Sequence, residues 1–514
     1  MTGAPPPRRR HTLLALALAL AGGGVWGLAF GQDPWQVASW AALAPLVLLL
    51  GAPGRPRWRF LLGWLHGLAA WLAAIPWIIP TLRTYGEMPL PLAAVCLLLV
   101  AAYLALFHAA FAALGARLWG RPGAAGGALA LAGLPALWVA LEWLRGVLFG
   151  GFPWNLAGYA WLEVPGALPA AAWIGAWGVS FLVVLASTGL ALALARRAPA
   201  WAALGVLVPL LVLALGARWG AGEPRRPGEM PPARGRPVRI LQPNIPNAVA
   251  VDWDQVAANY GRVLAMSREA CTPGALVVWP ESAAWPYSFA DDAFFRHDLE
   301  TLTAGGGCTV LFNSIHPHDG RFFNSAFVLG PDGASARYDK RHLVPFGEYV
   351  PFGGLFAWVD KLARNAGDFQ AAEELTLLPW GDERLGLAIC YEIVFPAEVA
   401  AAVREGATIL TTITNDAWYG DTAAPWQHHA AARFRAAETR RPLLRAAITG
   451  VSAVVAPDGA ERARLDPFTR GVIEATVAGR GGLSPFARAP WAVPLASAVA
   501  AAAALALAGR LRRR

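Results

Sequence analysis

Eight runs of predominantly apolar residues constrain this chain most, near 11–31, 37–53, 60–80, 89–116, 126–149, 168–195, 199–217 and 489–509. A helix that crosses a bilayer needs about 20 such residues, so each run is a candidate span. Between the seventh and eighth, residues 218–485 read as an ordinary water-soluble domain. Hydrophobic residues make up 56% of the 514 positions and charged ones 15%, a balance foreign to soluble proteins. The pattern predicts a polytopic membrane protein with one soluble domain inserted before its last span.

Arginine placement orients such a chain. Arg8, Arg9 and Arg10 precede the first run, and Arg55, Arg57 and Arg59 separate the second from the third. Arg117 and Arg121 follow the fourth, Arg196 and Arg197 follow the sixth, and Arg510, Arg512, Arg513 and Arg514 follow the last. The alternate loops are poor in basic residues: 32–36 and 150–167 have none, and 81–88 has only Arg83. Basic loops stay in the cytoplasm, so both termini are expected there and the domain after seven spans faces outward. These loops largely explain the net charge of +9, and no nucleic-acid partner is needed. The Arg-rich start also fits a signal peptide, but its apolar run continues to Phe30, beyond a usual h-region.

Four cysteines occur. Cys96 lies in a span, leaving Cys271, Cys308 and Cys390 in the outward domain. Three is odd, so at least one stays free in an oxidising compartment, and whether Cys271 pairs with Cys308 is open. No metal-ligand spacing joins them, and neither a metal nor a cofactor is expected.

The expected organisation is a membrane domain over 1–217, a Pro- and Gly-rich linker over 218–236, a catalytic domain over 237–485, an eighth span over 489–509 and a basic tail over 510–514. Strand-like runs occupy 238–242, 275–279, 309–313, 324–329, 385–389, 408–414, 446–456 and 472–477, with helices over 252–270 and 426–440. Pro331-Asp332-Gly333 and Pro457-Asp458-Gly459 read as hairpin turns. The mixture implies a layered α/β domain.

Three polar residues end or follow apolar strands: Glu281 in Val277-Val278-Trp279-Pro280-Glu281-Ser282, Lys340 after the first hairpin, and Cys390 in Leu387-Ala388-Ile389-Cys390-Tyr391-Glu392. Strand ends are where α/β folds place chemistry. A thiol, a carboxylate and an ammonium can serve there as nucleophile, base and oxyanion stabiliser. Lysine is otherwise nearly absent: Lys340 and Lys361 are two among 43 basic residues, and an ammonium offers a compact, tunable charge that guanidinium lacks. Singly, the three also fit an inert buried thiol, a helix N-cap and a solvated loop charge; their shared placement favours a site. No Gly-x-Ser-x-Gly occurs. His428-His429 lack a matching carboxylate or metal pattern and are expected at a helix surface or interface. In the membrane part, Glu142 and Arg145 share a helix face and either pair or leave Arg145 to snorkel. Phe152, Pro153, Trp154, Tyr159 and Trp161 are expected to form an outer-interface aromatic cluster, a lipid-facing belt in preference to a floor for a substrate entry route.

Trp279-Pro280-Glu281-Ser282, Asp339-Lys340 and Cys390-Tyr391-Glu392 resemble the Glu-Lys-Cys motifs of the nitrilase superfamily. Lys340 to Pro351, Thr414 to Gly420, Gln427 to Ser452, Glu142 to Tyr159 and Gly178 to Leu182 resemble the apolipoprotein N-acyltransferase family, from about residue 40 to 509. That resemblance implies an αββα sandwich set between the seventh and eighth spans. It also implies transfer of an acyl chain from a phospholipid, typically phosphatidylethanolamine, to the α-amino group of an apolipoprotein's diacylglyceryl-cysteine. By motif match Cys390 is the nucleophile, Glu281 the general base and Lys340 the oxyanion stabiliser. Glu348 matches a further essential acid, Tyr391 and Glu392 match the residues after the nucleophile, and Trp253 matches a tryptophan on the substrate path. A monomer in the bacterial inner membrane, with a periplasmic catalytic domain, is expected. The same three residues also suit a membrane-tethered amidase that hydrolyses a C–N bond. A catalytically dead lipoprotein-binding module fits the complete set poorly.

Overall fold

In the computed structural model, which describes residues 9–30, 35–84, 86–221, 235–246, 252–349 and 369–513, the apolar runs become helices. Most of the 218–236 linker, Lys361 and the Pro351 end of one motif lie outside the described residues. The helices of the first part are α1 (Arg9–Leu28), α2 (Ala44–Leu49), α3 (Pro56–Ala74), α4 (Ile78–Thr84), α5 (Leu90–Trp119), α6 (Gly123–Arg145), α7 (Ala167–Arg196) and α8 (Ala200–Ala221). Six helices among the described residues, one of them near the C-terminus, are long and apolar enough to cross a bilayer. A seventh crossing arises if α3 and α4, bent by 54°, count as one. Pro76 explains that bend, because proline lacks the N–H that the helix ladder requires.

The second expected span differs. Residues Trp35–Trp40 form a 3-10 helix and α2 has only six residues, with a proline in its first turn. Six residues rise about 9 Å against a hydrocarbon core of about 30 Å. Irregular backbone at membrane depth is tolerated where protein covers it, and Leu43, Leu46, Val47, Leu49 and Leu50 are all buried. In α7, Gly175 breaks the helix with φ +65°, a conformation that suits glycine.

Glu142 and Arg145 do pair, at 3.7 Å, and both are buried, so Arg145 does not snorkel. Arg145 Nη1 donates to the carbonyls of Phe152 and Trp154 at 2.6 and 2.8 Å, while Glu142 Oε1 accepts from the Ala157 N–H at 2.7 Å. The pair thus folds residues 148–161 back on α6. Trp154, Tyr159 and Trp161 are consequently buried in protein, which corrects the expected lipid-facing belt.

The second compact unit takes residues 224–488 together with 80–89. Its strands are β1 (Arg236–Gln242), β2 (Leu276–Val278), β3 (Thr309–His318), β4 (Arg321–Leu329), β5 (Ser335–Asp339), β6 (Leu378–Trp380), β7 (Glu383–Ile389), β8 (Ile409–Thr414), β9 (Leu443–Ala447), β10 (Ser452–Val455), β11 (Glu461–Leu465) and β12 (Gly471–Val477). Its helices are α9 (Trp253–Ala270), α10 (Ala293–Gly306), α11 (Pro396–Arg404), α12 (Ala424–Thr439) and α13 (Pro485–Arg488), and α14 (Ala492–Arg513) returns to the first unit.

The strands form two six-stranded sheets, ordered β12-β1-β2-β3-β4-β5 and β11-β10-β9-β8-β7-β6. The inner strands β1-β2-β3 and β7-β8-β9 pair in parallel; the outer ones close antiparallel. Both Pro-Asp-Gly turns join antiparallel neighbours, β4 to β5 and β10 to β11. The run 446–456 resolves into two strands, because residues 448–451 turn the chain.

Alternation sorts the core. Val238, Ile240, Val278 and Leu311 share one cluster with Leu385, Leu387, Ile389 and Ile413, between the sheets. Leu241, Val277, Val310 and Phe312 pack on Val263, Leu264, Phe295 and Leu299 of α9 and α10. Period-two side chains produce this division, and the layers are the expected αββα sandwich. Truncating a core residue such as Ile389 to alanine is expected to cost about 2–5 kcal/mol, and Cys390 is the next residue in the chain.

Cys271 and Cys308 form a disulfide, with Cα atoms 5.4 Å apart. Cys390 is thereby the free thiol of this unit.

Candidate active site

Each expected catalytic residue sits where a strand runs out. Beyond β2, the Trp279 N–H still pairs with the Leu311 carbonyl at 2.8 Å, and Glu281 follows two residues later. Lys340 extends β5 by one residue, its N–H donating to Asn324 O at 2.9 Å. Cys390 directly follows β7 and opens a 3-10 turn, Cys390–Val394. Its φ of +54° is a left-handed value, and Ser282 and Phe346 share it at +61° and +63°. Such conformations cost about 1–3 kcal/mol each in non-glycine residues. Here three accumulate beside the residues in question.

The structure brings Glu281, Lys340 and Glu348 into hydrogen-bonded or ionic contact. Lys340 Nζ lies 2.9 Å from both Glu348 oxygens and 4.0 Å from Glu281 Oε1. Asn324 bridges the carboxylates, its Nδ2 donating to Glu281 Oε1 at 3.0 Å and to Glu348 Oε1 at 2.8 Å. Glu281 Oε2 accepts from the Asn415 N–H at 2.9 Å, and Glu348 Oε2 from the Val344 N–H at 2.8 Å. All three ionisable side chains are buried, Lys340 at 1% exposure. An ammonium buried this deeply requires close counter-charges, and Glu348 is the closest.

Burial raises the Glu281 carboxyl above the usual range; Lys340 opposes that rise and Glu348 reinforces it. Burial also pulls Lys340 down, but Glu348, Glu281, Cys390 and Glu392 together carry it above its ordinary value, so it stays charged. The Cys390 thiol is pushed up by burial and then by Glu281, with Lys340 opposing. The resting thiol is therefore protonated. This arrangement suits a thiol that loses its proton to Glu281 only as it attacks.

Glu392 ties the lysine loop to the cysteine turn. One carboxylate accepts from Tyr338 Oη at 2.9 and 3.0 Å, from the N–H groups of Arg341 and His342 at 2.7 and 3.0 Å, and from Ile389 N–H at 2.7 Å. Tyr391, beside it, is buried between Phe395 and His342. Trp253 opens α9, is 65% exposed and makes no hydrogen bond or ring contact with Glu281, Lys340 or Cys390 among the described residues.

Sequence reasoning missed Asn324, whose signal was a polar residue opening an apolar strand run. It also misplaced His428 and His429. Both are fully buried in α12, and each faces a carboxylate: Asp416 at 3.1 Å and Glu461 at 2.9 Å. Those acids lie 12 residues before and 32 after, too far apart in sequence for a local pattern to show. Among the described residues, no group of three or more His, Cys, Asp or Glu could hold a metal ion.

Two family models match: the apolipoprotein N-acyltransferase N-terminal domain over residues 22–189 and the carbon-nitrogen hydrolase domain over 238–481. An apolipoprotein N-acyltransferase of Geobacter metallireducens is 35% identical over 97% of this chain and 96% of its own. One from Ralstonia nicotianae is 38% identical over 92% of this chain and 90% of its own. The chain belongs to the apolipoprotein N-acyltransferase family. An apolar helical part precedes a hydrolase-type α/β domain, and the chain is a multi-pass membrane enzyme. Membership in that family favours acyl transfer over amide hydrolysis.

Proposed function

We propose that the enzyme transfers an acyl chain from a phospholipid, phosphatidylethanolamine foremost, to the α-amino group of the N-terminal diacylglyceryl-cysteine of apolipoproteins. The observation that carries this reading is a buried Lys340 ammonium held against Glu348 and Glu281, with Cys390 close enough to feel both Glu281 and Lys340. Glu281 takes the Cys390 proton as sulfur attacks the donor ester carbonyl. Lys340 and the Tyr391 backbone N–H hold the oxyanion, and Glu281 returns the proton to the departing lysophospholipid oxygen. A thioester on Cys390 remains. The acceptor amine then attacks it, losing its proton to Glu281, and the thiol is restored. Donor and acceptor need not bind together, which suits two membrane-held substrates. Cys390 is only 7% exposed, which protects the thioester from water between the halves.

Glu348 keeps Lys340 charged and placed, Glu392 holds the lysine loop on the cysteine turn, and Trp253 contributes an exposed aromatic surface for substrate. Every chain carries a complete set, so a monomer suffices. We divide the chain into a membrane body (1–217), linker (218–236), catalytic domain (237–485) and last span (489–509). Arginine asymmetry supports cytoplasmic termini and a periplasmic domain in the inner membrane, and so does the Cys271–Cys308 disulfide. That topology makes Trp35–Leu49 a broken second crossing.

The test supplies phosphatidylethanolamine and a diacylated lipopeptide to detergent-solubilised enzyme. Acyl chain on the lipopeptide amine is expected; release as free fatty acid instead would show water, not the amine, taking the acyl group and would overturn the transfer reading. With donor alone, Cys390 should gain the mass of one acyl chain, and Cys390→Ala should gain none.

A further inference from the structure

The carbonyl oxygen of Cys390 lies 3.0 Å from His428 Nε2. A carbonyl can only accept, so Nε2 carries a hydrogen committed to that bond. His428 is therefore not the base for the neighbouring thiol. Its other nitrogen, Nδ1, lies 3.1 Å from Asp416 Oδ1 and 3.2 Å from Arg445 Nη2. Arg445 Nη2 donates to Asp416 Oδ2 at 2.7 Å, Thr414 Oγ1 donates to Oδ1 at 2.8 Å, and Arg445 Nε donates to Val451 O at 2.9 Å. His428, Asp416, Arg445 and Thr414 are at most 1% exposed. A Cβ added at Gly450 would fall 2.2 Å from Asp416 Oδ2, so the backbone closes tightly around this carboxylate. With its hydrogen on Nε2, the imidazole accepts at Nδ1 from Arg445 Nη2, which Asp416 anchors, so the chain Asp416–Arg445–His428 joins the turn after β8, β9 and α12 to one carbonyl in the strained turn.

That carbonyl belongs to the peptide unit whose N–H is that of Tyr391. The unit is planar, so fixing its oxygen fixes the direction of its N–H. We infer that His428, aligned by Asp416 and Arg445, is a positioning residue that sets the Cys390–Tyr391 peptide plane and so aims the Tyr391 N–H at the oxyanion. Hydrogen bonding to the carbonyl also polarises the same peptide and strengthens its N–H as a donor. Left-handed backbone at Cys390 is disfavoured on its own, and this contact from a rigid helix holds it. The inference rests on the proposed roles of Cys390 and Tyr391.

The test compares two reactions of one thiol in the full-length enzyme in detergent. Thioester formation from phosphatidylethanolamine passes through an oxyanion; alkylation by iodoacetamide does not. Glutamine places an amide N–H near the position of histidine Nε2, whereas asparagine reaches only that of Nδ1. His428→Asn is expected to slow thioester formation about 30-fold or more, the scale of a compromised oxyanion donor, while the alkylation rate stays that of the unsubstituted enzyme. His428→Gln is expected to recover most of the loss. Unchanged acylation in His428→Asn overturns the inference. So does a parallel fall in alkylation, or a glutamine variant no better than asparagine. If His428→Asn does not fold, Asp416→Asn, which leaves the imidazole but removes the charge that anchors Arg445 against it, should slow acylation at unchanged alkylation, and equal effects on both would refute the assignment. Acyl mass retained in Cys390→Ala would instead show that the nucleophile reading, and not the role of His428, had failed.

Discussion

Both carboxylate oxygens of Glu348 lie 2.9 Å from Lys340 Nζ, while the nearer Glu281 oxygen stays 4.0 Å away. The lysine is thus neutralised mainly by an acid other than the proposed base. Glu281 stays free to exchange a proton, and the ammonium stays charged for the oxyanion.

Removing that neighbour should reveal the division. In Glu348→Gln, Lys340 turns to Glu281 as its remaining carboxylate, and acyl transfer is expected to fall by about 100-fold, on the scale of a charged hydrogen bond. Burial raises Glu281 and the Glu348 charge raises it further. Without Glu348 the base titrates lower, so the acidic limb of the pH–rate profile for thioester formation should move to lower pH. A limb that moves upward would contradict this account.

Asn324 bridges Glu281 and Glu348 with one amide. Asn324→Leu removes both bonds and leaves two buried carboxylates short of a donor, at about 2–3 kcal/mol for charged acceptors. The expected outcome is a 30- to 100-fold fall in kcat/KM for the lipopeptide acceptor, measured at saturating donor. Near-normal turnover would show that Lys340 alone orders the acids.

Acid stability should report on Asp416. Burial pushes this carboxyl up, but Arg445 and His428 outweigh it and hold it at about 2, against an ordinary 3.8. Its stabilisation is complete above 3.8 and is lost as pH falls through 2. Roughly 2 kcal/mol should disappear across that window, read as a falling thermal midpoint of the α/β domain between pH 4 and 2. Asp416→Asn should lack that part of the slope, and an identical slope in the variant would exclude Asp416 as its source.

Reduction of the Cys271–Cys308 disulfide, which closes 37 residues of chain, should destabilise the α9–β3 region by about 4 kcal/mol on loop-entropy grounds. A lower midpoint with acylation intact at low temperature is expected in Cys271→Ser/Cys308→Ser. Loss of acylation at every temperature would place the disulfide's effect at the site itself.

Much of this was legible in the chain because its signals are local. Apolar length marks membrane helices, as in α5 and α7, and period-two alternation marks β1 and β7. Pro-Asp-Gly turns mark hairpins, and Glu281, Lys340 and Cys390 announce themselves as polar residues at apolar strand ends. Where the expectation failed, the deciding contact was distant. Trp154, Tyr159 and Trp161 read as a belt, yet Glu142 and Arg145 fold them into protein. His428 looked unpaired because Asp416 meets it only after β8 and α12 have packed.

The sequence by itself determined the membrane body and the αββα layers and singled out Cys390, Glu281 and Lys340 as the proposed nucleophile, base and oxyanion-binding lysine, since hydrophobic periodicity and residue chemistry act over a few neighbours. Tertiary structure alone decided that Glu348 closes the lysine, that Asn324 spans the two acids, and that the Cys390 carbonyl is held from α12. Those contacts join segments 8 to 43 residues apart. A buried charge or carbonyl is satisfied by whatever the packed sheets bring within about 3 Å, which no local pattern specifies.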